Sequence, residues 1–407
     1  MNDTPRGNRL HIALFGRRNA GKSSLINALT HQKVAVVSDI AGTTTDPVYK
    51  SMEVLPLGPV VFIDTAGIDD EGTLGDFRVE KTKEVLRKTD VGIIVITADQ
   101  QWGDLEEELA IKFKDRKIPF VVAVNKSENS SNQYKELSLK QNVPVIKTSA
   151  LSGYGIEDLF KELTALKTEN DGRLHLIDGL VKEKDIVVLV TPIDKEAPKG
   201  RLILPQQQVL RDILDTGAMA LVTREFELEY ALEKLGRLPD IVITDSQAFD
   251  KVSKIVPESV PLTSFSIIYA NQKGDLSLFL EAVKAIENLS DGDDILVAEG
   301  CTHHRKDDDI GTVKIPNLLM KRTGKKLNFH HISGGFFEKD VSKYKMVIHC
   351  GACMLNRREM EYRQVFSMQS DVPMINYGMI LAYLHGILDR AIKPFLKYSN
   401  FKNAYKL

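Results

Sequence analysis

Cysteine is scarce in this chain: there are three among 407 residues, beside a single tryptophan. So odd and sparse a set cannot build a disulfide framework, which excludes small secreted scaffolds and leaves the thiols free to hold a metal. An excess of one charge is also missing. Lys and Arg total 54 against 56 Asp and Glu, a formal net charge of −2. A dedicated nucleic-acid binder is therefore not expected. Long apolar runs are absent as well: the longest, such as Val91 to Ala98, are strand-sized and fall short of the ~18 residues of a membrane helix. The opening MNDTPRGNRLHIALFG lacks an apolar signal core, so the expectation is a cytoplasmic protein with no membrane association. Hydrophobic residues at 43% and charged residues at 27% exclude disorder and collagen-like repetition, and the length predicts two or three domains.

Short β-branched runs alternate with helical segments throughout, which predicts an α/β fold with parallel sheets. The first series has strands at His11–Phe15, Val60–Asp64, Gly92–Thr97, Phe120–Asn125 and Pro144–Thr148, with helices such as Lys22–Thr30 and Ile156–Leu166 between them. The polar stretch Lys167–Arg173 reads as a linker. A second series has strands at Ile186–Val190, Ala218–Val222 and Asp240–Thr244, with helices near Gln206–Leu214 and Glu225–Leu235. The Ala218–Val222 and Asp240–Thr244 strands are nearly continuous apolar runs, which need covering on both faces; a small unit could achieve this partly by pairing with another copy. A third series starts near Leu262, with strands at Asp294–Val297, Leu327–Ile332, Met346–His349 and Val372–Asn376.

Gly16-Arg-Arg-Asn-Ala-Gly21-Lys22-Ser23 fits G-x-x-x-x-G-K-[ST], after a strand and opening a helix. The glycines let backbone N–H groups wrap a β-phosphate, Lys22 reaches the β/γ-phosphates, and Ser23 offers a hydroxyl to Mg²⁺. Ala20 and Ser24 flank that contact, and the helix N-terminus adds partial positive charge. Asp64-Thr-Ala-Gly67 ends another strand: Asp64 contacts Mg²⁺ through water and the Gly67 N–H senses the γ-phosphate. Gly42-Thr43-Thr44 lies between them in a polar loop suited to a switch, with Thr44 beside Mg²⁺. Asn125-Lys126-Ser127-Glu128 places a carboxylate for the guanine N1 and N2 donors, and Ser149-Ala150-Leu151 places N–H groups for O6. Five such elements in order point to GTP and GDP with Mg²⁺.

Residues 11–166 resemble a Ras-type GTPase domain of the bacterial tRNA-modification and Era-like branch. Asn19 and the segment Val37 to Thr44 are similar to the asparagine and loop with which that branch holds K⁺ beside the phosphates, a charge placed like that of an arginine finger. Two departures stand out. The base-reading motif ends in Glu128, one methylene longer than the usual Asp, so the preference for GTP is expected to be kept in loosened form. Ile68 stands where Ras-like proteins carry the water-orienting glutamine, so slow hydrolysis is expected, with Asp70, Asp76 and Glu80 as candidate acids.

The three cysteines form C-x-H-x46-C-x-x-C: Cys301, His303, Cys350 and Cys353. Cys301 and Cys350 follow strands, on the rim where ligand sites form in open parallel sheets. Cys353 is read as opening a helix, whose N-terminus favours the thiolate. Three thiolates and an imidazole could close a tetrahedral zinc site or hold an iron–sulfur cluster with one labile position, and soft ligands alone do not separate the two. His304, His330, His331 and His349 crowd the region, and the acidic run Asp307–Asp309 reads as solvated or as able to reach an open iron position.

A small GTPase domain followed by this cysteine pattern resembles the FeFe-hydrogenase maturation GTPase and scaffold family. CTHHRKDDDIG at 301–311, KIPN at 314–317, CGACMLNRREM at 350–360 and NYGMILAYLHGIL at 376–388 agree. The resemblance covers essentially the whole chain. It implies a Ras-like P-loop GTPase domain (1–170) followed by two smaller α/β domains with parallel sheets: a dimerisation domain (171–262) and a cluster domain (263–407). It implies a 4Fe–4S cluster on Cys301, Cys350 and Cys353, the fourth position open between His303, an acid and solvent. It further implies a homodimer that takes a diiron precursor as cargo from radical-SAM maturases and delivers it to apo FeFe-hydrogenase, with slow K⁺-stimulated GTP hydrolysis. The alternatives are a regulatory GTPase with structural zinc acting on RNA or ribosomes, and an iron–sulfur enzyme such as a dehydratase.

Overall fold

In a computed structural model, residues 6–30, 47–65, 67, 73–127, 142–170, 176–193, 202–301 and 309–396 are described, excepting the side chains of 73–80 and 167–170. The chain divides into two compact units, Met1–Arg173 and Leu174–Leu407.

The first unit holds one six-stranded sheet: β1 (Leu10–Phe15), β2 (Val48–Val54), β3 (Gly58–Asp64), β4 (Val91–Thr97), β5 (Phe120–Asn125) and β6 (Val145–Lys147). Their order is β2-β3-β1-β4-β5-β6, parallel except for the antiparallel β2–β3 pair. Strands β4 and β5 are buried almost throughout because helices cover both faces, whereas edge strand β2 is buried at none of its residues. β2 (VYKSMEV) escaped the sequence reading because an edge strand needs no unbroken apolar run. β1 runs on to β3 on one side and β4 runs on to β5 on the other. The switch in strand order therefore falls between β1 and β4, where such sheets open a crevice at their carboxyl ends.

The second unit holds two four-stranded parallel sheets. The middle one is β7 (Ile186–Val190), β8 (Met219–Thr223), β9 (Ile241–Thr244) and β10 (Leu262–Ser264), ordered β10-β9-β7-β8. The last is β11 (Asp294–Glu299), β12 (Asn328–Ser333), β13 (Met346–His349) and β14 (Met374–Asn376), ordered β12-β11-β13-β14. One continuous core, from Leu176 to Phe395, joins them.

One expectation changes here. Leu262–Ser264, taken as the start of the third series, hydrogen-bonds to β9 and completes the middle sheet, so a boundary at 262 would cut through its edge. Within one copy β8 is an edge strand with Met219 52% and Val222 40% exposed, while β9 is fully buried, so the cover expected for β8 falls to a second copy. In the last sheet β11 leads to β12 on one side and β13 to β14 on the other, so a second switch point opens between β11 and β13.

Candidate functional site

Gly16–Ser24 turns from β1 into the helix Lys22–Thr30 at the first switch point. Gly16 has φ +156° and any Cβ there would lie 2.2 Å from the Val95 carbonyl oxygen. Gly21, at φ +88°, would place a Cβ 2.2 Å from Asn125 Nδ2. Only glycine lets the loop lie this close to β4 and β5. Asn19 is exposed in a left-handed conformation (φ 57°), a geometry asparagine tolerates. The Lys22 ammonium is almost buried and donates to Gly16 O and Arg17 O, both at 2.9 Å. The Ser23 hydroxyl donates to the Asp64 carboxylate, so the two groups expected around Mg²⁺ are adjacent. Burial raises the Asp64 carboxyl above its ordinary value, against the pull of Ser23 and Lys22. Ser24 is half-buried in the first turn of the same helix, and Gly67 is half-buried past β3.

Asn125, expected to read the base, also ties the site together. Its Nδ2 donates to Ala20 O at 3.0 Å, and its Oδ1 accepts from Ala150 N at 3.1 Å. Lys126 follows, exposed and left-handed (φ 57°), and Ser149 is buried with its N–H donating to Tyr154 O at 2.9 Å. Three loops thus converge. Thr44, Glu128, Ile68 and Asp70 lie outside the described residues, as do the side chains of Asp76 and Glu80.

The sequence reading missed a buried brace. Glu106 is fully buried at the start of the helix Asp104–Asp115 and accepts from Arg17 Nε (2.8 Å), Arg17 Nη2 (3.0 Å), Gln100 Nε2 (2.9 Å) and Gly103 N (3.0 Å). Burial alone would raise its carboxyl, but Arg17 and the Gly103 amide hold it below the ordinary glutamate range. A glutamate three residues after a helix start is a capping signal; its pairing with Arg17 across the fold is not visible in sequence.

At the second switch point Cys301 and Cys350 lie just past the ends of β11 and β13, and Cys353 stands in the following turn. The backbone aims at sulfur: Gly300 N–H donates to Cys350 Sγ at 3.1 Å and Ala352 N–H at 3.4 Å, the latter from a left-handed residue (φ 55°). Burial pushes the Cys301 thiol up to about 12 and the Cys350 thiol up to about 11, and neighbouring thiolates add to both. The sulfurs are therefore close enough to oppose one another's ionisation. Burial raises Cys353 too. The helix begins only at Arg357, with Asn356 as its cap, so Cys353 does not open it and gains no thiolate-favouring terminus. Among the described residues no group of three or more His, Cys, Asp or Glu side chains is gathered to hold a single metal ion. His303, His304, Asp307 and Asp308 lie outside the described residues.

Surrounding groups sort by role. His349 is fully buried; its Nδ1–H donates to Cys350 O (2.9 Å) and its Nε2 accepts from Arg363 (3.1 Å). Burial, then the Arg363 charge, push it down to about 3, so it is a neutral brace and not a free ligand. Arg363 pairs with buried Glu359 at 2.9 Å. His330 bonds Asp294 at 2.8 Å on the exposed edge strand. Asp309, expected in a solvated run, is buried and accepts from Thr312 N and Oγ1, both at 2.8 Å. Sequence reasoning passed over Glu299, buried at the end of β11. It accepts from Tyr377 at 3.2 Å and places its negative charge beside Cys301 and Cys350. A lone acid closing the apolar run ILVA was the available signal.

Comparison with known proteins gives three family matches along the chain. Residues 11–126 match the family model of the 50S ribosome-binding GTPase, 176–274 that of the hydrogen maturase F dimerization domain, and 277–394 that of the hydrogen maturase F tetramerization domain. GTPase Der of Wolinella succinogenes is 33% identical over 175 residues, 40% of this chain and 37% of the relative. The tRNA modification GTPase MnmE of Heliobacterium modesticaldum is 36% identical over 172 residues, 41% of this chain and 36% of the relative. The chain thus spans little more than a third of the length of these curated relatives. A solved structure of Era with MgGDPNP and ribosomal RNA aligns at 22% identity and a TM-score of 0.35, over 56% of this chain and 97% of that one. Two consecutive matches to hydrogen maturase F domains follow a GTPase domain, in that order along one chain: the protein belongs to the hydrogen maturase F (HydF) family of GTPases.

Proposed function

We propose that this chain is a GTP-hydrolysing scaffold for hydrogenase maturation that carries a 4Fe–4S cluster on Cys301, Cys350 and Cys353. The observation that supports the reading is the placing of Cys301 and Cys350 just past the ends of β11 and β13, with two backbone amides aimed at the Cys350 sulfur. N–H donors to sulfur suit the anionic, thiolate-bound iron of such clusters. When bound, the cluster supplies electron-accepting iron with one exchangeable position. The chain's own contribution is to bury the sulfurs and to keep His349 neutral and occupied elsewhere. Glu299 and His303 are its candidate groups for the remaining position.

At the nucleotide, Lys22 neutralises phosphate charge, Ser23 and Thr44 hold Mg²⁺, and Asp64 orders its water. Asn19 takes K⁺ beside the phosphates. With Ile68 in place of a water-orienting glutamine, turnover is slow and the domain works as a switch. We divide the chain at about 170 and, for the second boundary, after the helix Phe265–Lys273 instead of at 262. The exposed edge of β8, with Met219 and Val222, suits pairing with a second copy, in keeping with the dimerization and tetramerization domains matched. Apo-hydrogenase is the acceptor, radical-SAM maturases are the donors, and a diiron precursor is the cargo.

Anaerobic reconstitution with iron and sulfide, followed by metal analysis and EPR, tests the reading. Cluster iron together with activation of apo-hydrogenase supports it. Zinc without iron would replace it with a regulatory GTPase, and turnover of a small molecule at the cluster with an enzyme.

A further inference from the structure

The helix Phe265–Lys273 spans the two sheets of the second unit. It starts directly after β10, capped by the Ser264 hydroxyl, and runs beneath the loop from Cys350 to Leu355. Near its start Ser266 lies against Gly351, where a Cβ would stand 3.3 Å from the serine hydroxyl. At its end Lys273, only 2% exposed, donates to Ala352 O (2.9 Å), Cys353 O (3.2 Å) and Leu355 O (2.6 Å). All three ammonium protons are used, and no carboxylate pairs with Lys273 among the described residues. A buried cation is costly unless partnered; the three carbonyls and the Tyr269 ring, 5.1 Å from the ammonium, partner it here, and the Cys353 that it touches is where ligation would place negative charge.

We infer that Lys273 is the positioning residue and built-in counter-cation of the cysteine site. The loop it holds is polarised: the Ala352 amide faces the Cys350 sulfur, joined from the end of β11 by the Gly300 amide, while the carbonyls of 352, 353 and 355 face the ammonium. Lys273 fixes those carbonyls and so fixes the Ala352 amide that faces sulfur. Its charge offsets part of the negative charge that ligation would place there. Because it closes a helix that grows out of β10, the lysine also ties the cysteine loop to the middle sheet. The inference rests on the cluster reading above.

The test uses the full chain, wild type beside Lys273→Met and Lys273→Gln, reconstituted anaerobically with ferrous iron and sulfide. Lys273→Met should lose iron to a chelator about 10–100-fold faster than wild type, the range for removing an outer-shell partner. Its cluster potential should move to more negative values, while GTP turnover stays at the wild-type rate. Lys273→Gln, which keeps a donor but not the charge, should show the same direction of potential shift with a smaller loss of retention. Wild-type retention and potential in Lys273→Met would overturn the inference and leave the cluster standing; a wild-type chain that takes up no iron would overturn both. Amine acylation of the iron-loaded wild-type chain, read by peptide mass spectrometry, decides the seat whether or not the variants fold. Lys273 unmodified while exposed Lys184 and Lys254 react supports it, and Lys273 reacting at their rate refutes it.

Discussion

In the first sheet the strand order reverses between β1 and β4, and one unbroken stretch, Gly16–Ser24, brings most of the phosphate-binding groups to that crevice. In the last sheet it reverses between β11 and β13, and the groups come from Lys273, Glu299, Cys301, His349, Cys350, Cys353 and Tyr377, scattered over a hundred positions of chain. On the function proposed above, the difference follows from what each crevice would hold. A polyphosphate is grasped mainly by backbone N–H groups, which consecutive residues supply. A metal cluster needs thiolates approaching from several directions, which separate strand ends supply. The first kind of site is written locally, whereas the second exists only once the sheet has closed.

The sharpest way to break this comparison is to remove one sulfur. Cys350→Ala should abolish iron uptake, measured by metal analysis, and leave GTP turnover intact; loss of both would show that the two crevices are not independent. The reverse test is Lys22→Ala. Losing charge-assisted contacts of ~1.5–3 kcal/mol each should weaken GTP binding by at least on the order of 100-fold, read by calorimetry, with iron content unchanged.

A third test is aimed at the brace under the phosphate loop. Glu106→Gln should destabilise the first unit by about 1–3 kcal/mol at neutral pH, by chemical denaturation, since Arg17 and the Gly103 amide lose their charged acceptor. The Glu106 pKa is lowered in the fold, so the carboxylate's contribution is present above its unfolded value and disappears as pH falls through the folded one. The variant's deficit should therefore shrink on acidification below the ordinary glutamate range. The smallest effect concerns Asn19: exchanging K⁺ for Na⁺ should slow hydrolysis several-fold, about 1 kcal/mol of barrier, and equal rates would remove its role.

The same contrast governs how much could be read in advance. Central strands announced themselves as apolar runs, and the phosphate loop as a motif between strand and helix. Edge strands did so unevenly: β6, β12 and β14 were legible, but β2 hides in a mixed segment. Leu262–Ser264 was assigned forward because three residues carry no partner information; only its hydrogen bonds to β9 place it. At the cysteines the spacing located the rim but misjudged the thiols. The helix expected at Cys353 starts later, and burial raises all three sulfurs. Lys273 was illegible for a related reason: a lysine closing a helix reads as a solvated cap until the loop above it is in place.

Central to the account is that the second crevice holds iron. The most direct measurement is iron and sulfide per chain, with EPR of the reduced protein, after anaerobic reconstitution. About four irons and four sulfides with a reducible cluster signal, lost in Cys301→Ala, are predicted. Stoichiometric zinc, or no iron above that of Cys301→Ala, would contradict it.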